Sequence, residues 1–199
     1  MNELLKKAQE AIERGEYGAA AGLLRGPADS GSADAQYLLG YLYFTPADVD
    51  PVESRQWLEL AAAQQHADAL FCLSNWHEDN TVRPPDSERR RAQLLRAAEL
   101  GSLRAQRDLG CYYAIGEAGF PRDPVLGRLW YSRAAERGHA DAQYNYGRMM
   151  IHGEGGPSDP IGGLEWIRLS AAQNDPAALH FLATLNDFGQ EVTEGKSKY

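Results

Sequence analysis

The 199-residue chain has little of several features that define common protein classes. It contains two cysteines, Cys72 and Cys111, and two scattered cysteines without a secretory context predict reduced core thiols rather than a disulfide framework. It has no run of 18 or more apolar residues and no apolar signal segment after Met1, so we expect no membrane span and a cytoplasmic location. Its 20 basic residues are outnumbered by 28 acidic ones, which argues against nucleic acid or an anionic membrane as the main partner.

Motifs that carry catalysis or cofactor binding are equally scarce. His77, Glu78 and Asp79 stand together in the sequence NWHEDN, but contiguous residues at a helix end point in different directions, and no second histidine lies at ligand spacing. Two glycine-containing loops, 114–123 and 151–160, follow no predicted strand and lack a P-loop lysine. We therefore expect no catalytic residues, no metal site and no cofactor. A hydrolase that uses His77, Glu78 and Asp79 is the least favoured alternative.

What the chain does contain is a repeat of 34 to 37 residues. Four copies have an aspartate with a pair of small residues eleven positions later, and five have a turn residue with another small residue nine positions beyond it. The aspartates are Asp50, Asp86, Asp123 and Asp159. The turn residues are Gly31, Gln65, Gly101, Gly138 and Asn174, and the small residues after them are Gly40, Ser74, Gly110, Gly147 and Ala183.

The repeated residues predict helix, turn and helix in every copy. An aspartate followed by proline is typical of a helix N-terminus, because the carboxylate accepts a bond from a free amide and proline has no N–H to lose. Glycine or asparagine at the turn suits the left-handed residue that ends a helix. The next residue is an N-cap candidate for the following helix: Ser32, His66, Ser102, His139 and Asp175. Small residues within the helices allow neighbouring helices to approach closely.

The pattern W-x3-AA-x2-G-x3-AQ-x2-LG-x2-Y resembles the Sel-one-like repeat family, which is related to tetratricopeptide repeat proteins. One copy matches at Trp130, Ala134, Ala135, Gly138, Ala142, Gln143 and Gly147, and the copy before it at Ala98, Gly101, Ala105, Gln106, Leu109, Gly110 and Tyr113. Gln65 and Gln93 depart from the pattern, which has glycine and tryptophan there. The resemblance implies an all-α fold, a right-handed α/α superhelical solenoid of helix-turn-helix repeats.

Three segments follow from this assignment. Residues 1–30 are predicted to form an N-terminal capping helical hairpin. Residues 31–187 hold about four Sel-one-like repeats and a final unpaired helix, and residues 188–199 form a polar C-terminal tail. Because unfinished solenoid ends tend to associate, we also predict a homodimer through the C-terminal unit.

The resemblance places the first helix of each repeat on the concave side, by analogy with tetratricopeptide proteins. This face is aromatic towards the N-terminus and basic in the middle, and tyrosine and arginine are frequent interface hot spots. The alternative is that the aromatic residues complete packing between repeats and that the arginines pair with Asp68 and Asp141. The candidate partner-binding residues are Tyr37, Tyr41, Phe44, Phe71, Asn75, Glu78, Arg104, Arg107, Tyr144, Arg148 and His180.

The family implies a protein-protein interaction module that binds another protein, as a peptide or a folded domain with acidic contact groups. Its members resemble adaptors and assembly factors in signalling and in the bacterial cell envelope. Short stand-alone members resemble immunity proteins, which neutralise a toxin by direct binding. An adaptor predicts several weaker partners, whereas an immunity protein predicts one very tight partner.

Overall fold

The computed structural model describes residues 3–42, 45, 50–76 and 88–195, with the backbone alone described for 186–195. Within these ranges the chain forms eleven α-helices and no β-strand, which confirms the predicted all-α class. None of the helices in this part of the chain combines the length and apolar character needed to cross a bilayer. The helices are α1 (Glu3–Glu13), α2 (Tyr17–Asp29), α3 (Ala33–Tyr41), α4 (Pro51–Ala63), α5 (Ala67–Ser74), α6 (Glu88–Glu99), α7 (Leu103–Ile115), α8 (Pro124–Glu136), α9 (Ala140–His152), α10 (Pro160–Ala172) and α11 (Pro176–Gly195).

The predicted helix N-caps form as the sequence indicates. The carboxylates of Asp50, Asp123 and Asp159 each accept a hydrogen bond from a first-turn amide, and proline follows each of them. Asp86, the fourth repeated aspartate, lies outside the described residues. The first helices of the repeats are capped by side chains that accept the amide N–H three residues ahead: Ser32, His66, Ser102, His139 and Asp175.

The turn residue that precedes the first helix of each repeat has a positive φ. The three glycines among them, Gly31, Gly101 and Gly138, have φ of 90°, 95° and 89°, while Gln65 and Asn174 both have φ of 63°. Glycine adopts this region freely, whereas a residue with a Cβ atom is strained there. Gln65 is therefore a strained residue at a position that glycine occupies in other copies.

Replacing Gln65 by glycine is expected to raise the free energy of unfolding by about 0.5–1 kcal/mol, because relief of the left-handed strain exceeds the entropy that glycine adds to the unfolded chain. Urea denaturation followed by circular dichroism measures the change. The control is Gln64→Gly, since Gln64 has an ordinary φ of -88° and, like Gln65, an exposed side chain that makes hydrogen bonds to another helix or turn, so the same substitution there is expected to lower stability. An equal effect at the two positions would contradict the strain argument.

Two compact units divide the chain, residues 1–105 and residues 106–199. In the first unit, each helix from α1 to α6 packs against the next, and the first helices α3 and α5 also touch. Leu5, Leu24 and Leu39 belong to one buried cluster, and Leu58 and Trp76 belong to another. The unit is therefore built of stacked hairpins, as a repeat that cannot bury its own apolar face requires.

In the second unit, α9 packs against α8 and α10, and α11 packs against α10. The crossing of α9 and α10 depends on two glycines. A Cβ atom added to Gly147 would lie 2.5 Å from the carbonyl oxygen of Gly163, and one added to Gly163 would lie 2.6 Å from the carbonyl oxygen of Gly147. The helix backbones are therefore in contact at this point, as the small residue after the turn predicts.

A repeated glutamine links consecutive hairpins within each unit. Gln36 donates to the carbonyl oxygen of Ala28 and accepts from Gln64. Gln143 donates to the carbonyl oxygen of Ala135 and accepts from Gln173 in the same arrangement. The glutamine of the repeat pattern thus satisfies a buried carbonyl near the end of the preceding helix.

The last helix is longer than the sequence pattern indicates. Helix α11 continues to Gly195, so its final turns lie within residues 188–199, the segment predicted as a polar tail. The composition of that segment is polar, but its backbone continues the helix through most of its length.

Candidate protein-binding surface

The first helices of the repeats carry the residues predicted to bind a partner. Tyr37 and Tyr41 lie on α3, Phe71 on α5 and His180 on α11. Arg104 and Arg107 lie on α7, Tyr144 and Arg148 lie on α9, and Asn75 follows the end of α5. Phe44 and Glu78 lie outside the described residues, as do His77 and Asp79.

Helices α3 and α7, with the turn before α5, bring aromatic rings and one arginine together in the first unit. The rings of Tyr37 and Tyr41 are tilted with centroids 5.7 Å apart, and the imidazole of His66 stacks on Tyr37 at 4.6 Å. The guanidinium of Arg104 lies over the Tyr41 ring, 5.2 Å from its centroid, and donates to the Tyr41 hydroxyl at 3.4 Å. We call Tyr37, Tyr41, His66 and Arg104 the aromatic–arginine cluster.

The cluster combines half-buried rings with an exposed charge. Burial raises the pKa of Tyr37 above its ordinary value, and nearby Cys72 and Asp68 add to the effect. Burial also raises the pKa of the Cys72 thiol to about 12, so this cysteine is an uncharged core residue at neutral pH. Desolvation opposes the charge on Arg104, but the hydrogen bond to Tyr41 helps to raise the pKa of its guanidinium. Arg104 is exposed as a residue.

A pocket of about 220 Å³ lies next to the cluster. Three elements form its walls: α1, α3, and the corner where α5 begins. The lining residues are Leu5, Gln9, Asp34, Tyr37, Leu38, His66 and Asp68.

The pocket contains residues that the sequence pattern does not assign to binding. Leu5 and Gln9 belong to the N-terminal hairpin, which the sequence indicates only as a cap for the array. His66 is recognisable from the sequence as an N-cap, and its Nδ1 accepts the amide of Ala69. Its Nε2 lies 3.3 Å from Oδ1 of Asp34, a contact across 32 positions of the chain that no local pattern indicates.

The predicted arginines of the second unit are held by acidic side chains. Nε of Arg107 lies 3.3 Å from Oδ2 of Asp141, and its Nη1 lies 3.0 Å from Oδ1 of Asp108. Arg148 pairs with Glu154 at 3.4 Å. The alternative prediction, that the arginines pair with aspartates, therefore holds for Arg107 and Asp141.

In the first unit, Arg104 and Asp68 have other partners. Arg104 bonds to Tyr41, while Asp68 accepts a hydrogen bond from the Ser102 hydroxyl at 2.6 Å. A tyrosine hydroxyl, rather than the Asp68 carboxylate, is therefore the hydrogen-bond acceptor for Arg104.

The remaining predicted residues are spread over the first helices. Tyr144 packs edge-on against Phe181, with centroids 6.4 Å apart. The side-chain amide of Asn75 donates to the carbonyl oxygen of Phe71, which places it at the end of α5 rather than in the cluster. His180 is exposed on α11. The described residues hold no group of three or more His, Cys, Asp and Glu side chains arranged to bind a metal ion.

Comparison with known proteins identifies the repeat. The family model described as Sel1 repeat matches residues 33–66, 103–139 and 140–175, more than half of the chain. A crystal structure of a Sel1 repeat protein from Oxalobacter formigenes has a TM-score of 0.72 and 29% sequence identity, over 84% of this chain and 49% of that one. These similarities show an all-α helical-repeat solenoid fold.

Two further relatives carry functional names. Chitin synthase regulatory factor 3 of Schizosaccharomyces pombe is 37% identical over 153 residues, which is 74% of this chain and 16% of that protein. The crystal structure of immunity protein Pa5087 from Pseudomonas aeruginosa has a TM-score of 0.62 and 18% identity, over 89% of this chain and 69% of that one. The chain spans a third or less of the length of the curated relatives it matches.

Proposed function

Because the chain belongs to the Sel1 repeat family, whose members are protein-interaction modules, we propose that it binds a partner protein through the first-helix face of residues 1–105. The observation that carries this proposal is the aromatic–arginine cluster. Tyr37 and Tyr41 present ring surface there, and Arg104 presents a charge that is already held in place.

The energetics of the cluster favour recognition. Tyrosine and arginine are enriched among the few residues that supply most of the binding energy at interfaces. The Arg104 guanidinium is held over Tyr41 before any partner arrives, so a smaller entropic cost of ordering side chains accompanies binding. An acidic group of the partner that contacts Arg104 would gain a charge-assisted hydrogen bond.

The double variant Tyr41→Ala/Arg104→Glu tests this proposal. We expect it to weaken partner binding by about 30-fold or more, because loss of a hot spot costs about 2 kcal/mol or more. Wild type and variant would be compared by quantitative capture from native lysate with mass spectrometry, and the captured partner would then be titrated calorimetrically against both proteins.

Arg168→Glu is the matched control, since Arg168 is an exposed arginine on α10, a second helix of its repeat. Circular dichroism would establish that all three proteins are folded. Equal affinity of the wild type and the double variant would contradict the proposal and move the binding site to another face.

Toxin neutralisation is the second candidate function. Its support is the solved immunity protein with this fold, a likeness that concerns the scaffold alone. The same capture experiment separates the two functions, because an immunity protein predicts a single partner recovered in equimolar amount with a very low Kd. Several partners recovered in unequal amounts would instead support an adaptor or regulator, the role named for the fission-yeast relative.

A further inference from the structure

The pocket of the first unit has the size of a single side chain. Its volume is about 220 Å³, below the range of roughly 300–1,000 Å³ that is usual for small-molecule and cofactor sites. Apolar walls come from Leu5, Leu38 and the Tyr37 ring, while polar groups come from Gln9, His66 and two aspartates. A long side chain with an apolar stem and a polar end group matches these walls, because the stem can contact the apolar residues while the end group contacts the polar ones.

The charge of the pocket favours a cation as that head. Asp34 and Asp68 contribute two carboxylates, and the residues that line the pocket include no lysine or arginine. The Asp34 side chain is 70% exposed, so its oxygens are open to a further donor from outside. Arg104 is held over the Tyr41 ring and is not among the lining residues.

The repeat provides an independent indication of what these aspartates bind. Asp34, Asp68 and Asp141 occupy the same position, three residues after the turn residue of their repeats. In the second unit, Asp141 holds the guanidinium of Arg107, which lies six residues after its own turn residue. The equivalents of Arg107 in the first unit are Tyr37 and Phe71, and Tyr37 is the one that lines the pocket with Asp68. The chain thus supplies its own cation to this position in the second unit and an aromatic ring in the first.

We propose that the pocket lined by Asp34, Asp68 and Tyr37 binds a lysine or arginine side chain of the partner protein, an inference that rests on the proposed function. The methylene groups lie against Leu5 and Leu38, and the cationic head meets the two carboxylates. The pocket then binds a basic side chain of the partner, and Arg104 binds an acidic group nearby. Two neighbouring contacts of opposite charge fix the orientation of the partner.

The test uses small probes on the isotope-labelled full chain, so it does not depend on knowing the partner. The methylamides of N-acetyl-arginine and N-acetyl-lysine would be titrated while backbone amide shifts are followed by NMR. We expect saturable shifts at the amides of Asp34, Leu38 and Asp68. Asp34→Asn and Asp68→Asn are each expected to weaken the binding by about fivefold, the upper range for a partly exposed charge pair.

Two controls make the experiment decisive. Asp141→Asn changes the equivalent aspartate of the second unit and should leave probe binding unchanged, and N-acetyl-norleucine methylamide has an apolar side chain without the charge. A norleucine probe that binds as well as the basic ones would overturn the inference, as would the absence of shifts at the lining residues. Partner capture that depends on Tyr41 and Arg104 without any basic-probe binding would overturn this inference alone and leave the proposed function standing.

Discussion

The variant Gly147→Ala is expected to lower the free energy of unfolding by about 2–3 kcal/mol, although alanine is the better helix former. Gly147 lies in the middle of α9, where the backbones of α9 and α10 touch. The added methyl group would lie 2.5 Å from the carbonyl oxygen of Gly163 and 2.9 Å from Cγ1 of Ile167. Since the first of these atoms belongs to a helix backbone, no side-chain rotation relieves the contact, and α9 and α10 must move apart.

Urea denaturation monitored by circular dichroism would measure this loss. Gly22→Ala is the matched control, because Gly22 is an exposed residue within α2 and an added Cβ atom would meet nothing within 4 Å. That variant is expected to gain up to about 1 kcal/mol from helix propensity. The same substitution should therefore change stability in opposite directions at the two positions. A gain in stability at both positions would contradict this prediction, because it would show that α9 and α10 accommodate the added methyl group at their crossing.

The variant Leu58→Ala is expected to lower the free energy of unfolding by about 2–5 kcal/mol. Leu58 has no exposed surface and belongs to a cluster with Ala61, Leu73 and Trp76. The branched end of its side chain also packs against Gly40 of α3. A Cβ atom on Gly40 would lie 2.5 Å from Cγ of Leu58, so only glycine leaves space for Leu58 there. The substitution removes these contacts and leaves a cavity, because the surrounding helices relax only partly into the vacated space.

Leu60→Ala provides the control on the same helix. Leu60 lies two residues further along α4 and is 49% exposed, so its truncation is expected to change stability by less than about 0.5 kcal/mol. Thermal and urea unfolding of the two variants would be compared under identical conditions. Equal losses from Leu58 and Leu60 would contradict the assignment of Leu58 to the core.

The local structure of the repeats could be predicted from the sequence because it depends on neighbouring residues. An aspartate before proline caps a helix through an amide two or three positions ahead, as Asp50 and Asp159 do. A residue in the left-handed region is recognisable from the glycine at the same place in other repeats, which is how Gln65 and Asn174 could be assigned. The length of α11 was less predictable, because polar composition alone does not end a helix.

The candidate surface was only partly predictable. The spacing of the repeat assigns Tyr37, Tyr41 and Arg104 to the first helices, and they lie there. Their mutual contacts join residues up to 63 positions apart, and such contacts depend on how hairpins stack. The part played by α1 in the pocket was missed for the same reason, since no periodicity in residues 1–30 indicates which later helix they meet.

The sequence by itself determined the helices, their caps, their turns and the family, because each depends on residue types at short, repeated spacings. The tertiary structure decided which charges are neutralised. The repeat places Asp68 and Asp141 at equivalent positions, yet Asp141 holds Arg107 and Asp68 lies in a pocket beside Tyr37. Equivalent residues acquire different partners because the packing of adjacent helices brings a different side chain to each of them, the Arg107 guanidinium to Asp141 and the Ser102 hydroxyl to Asp68.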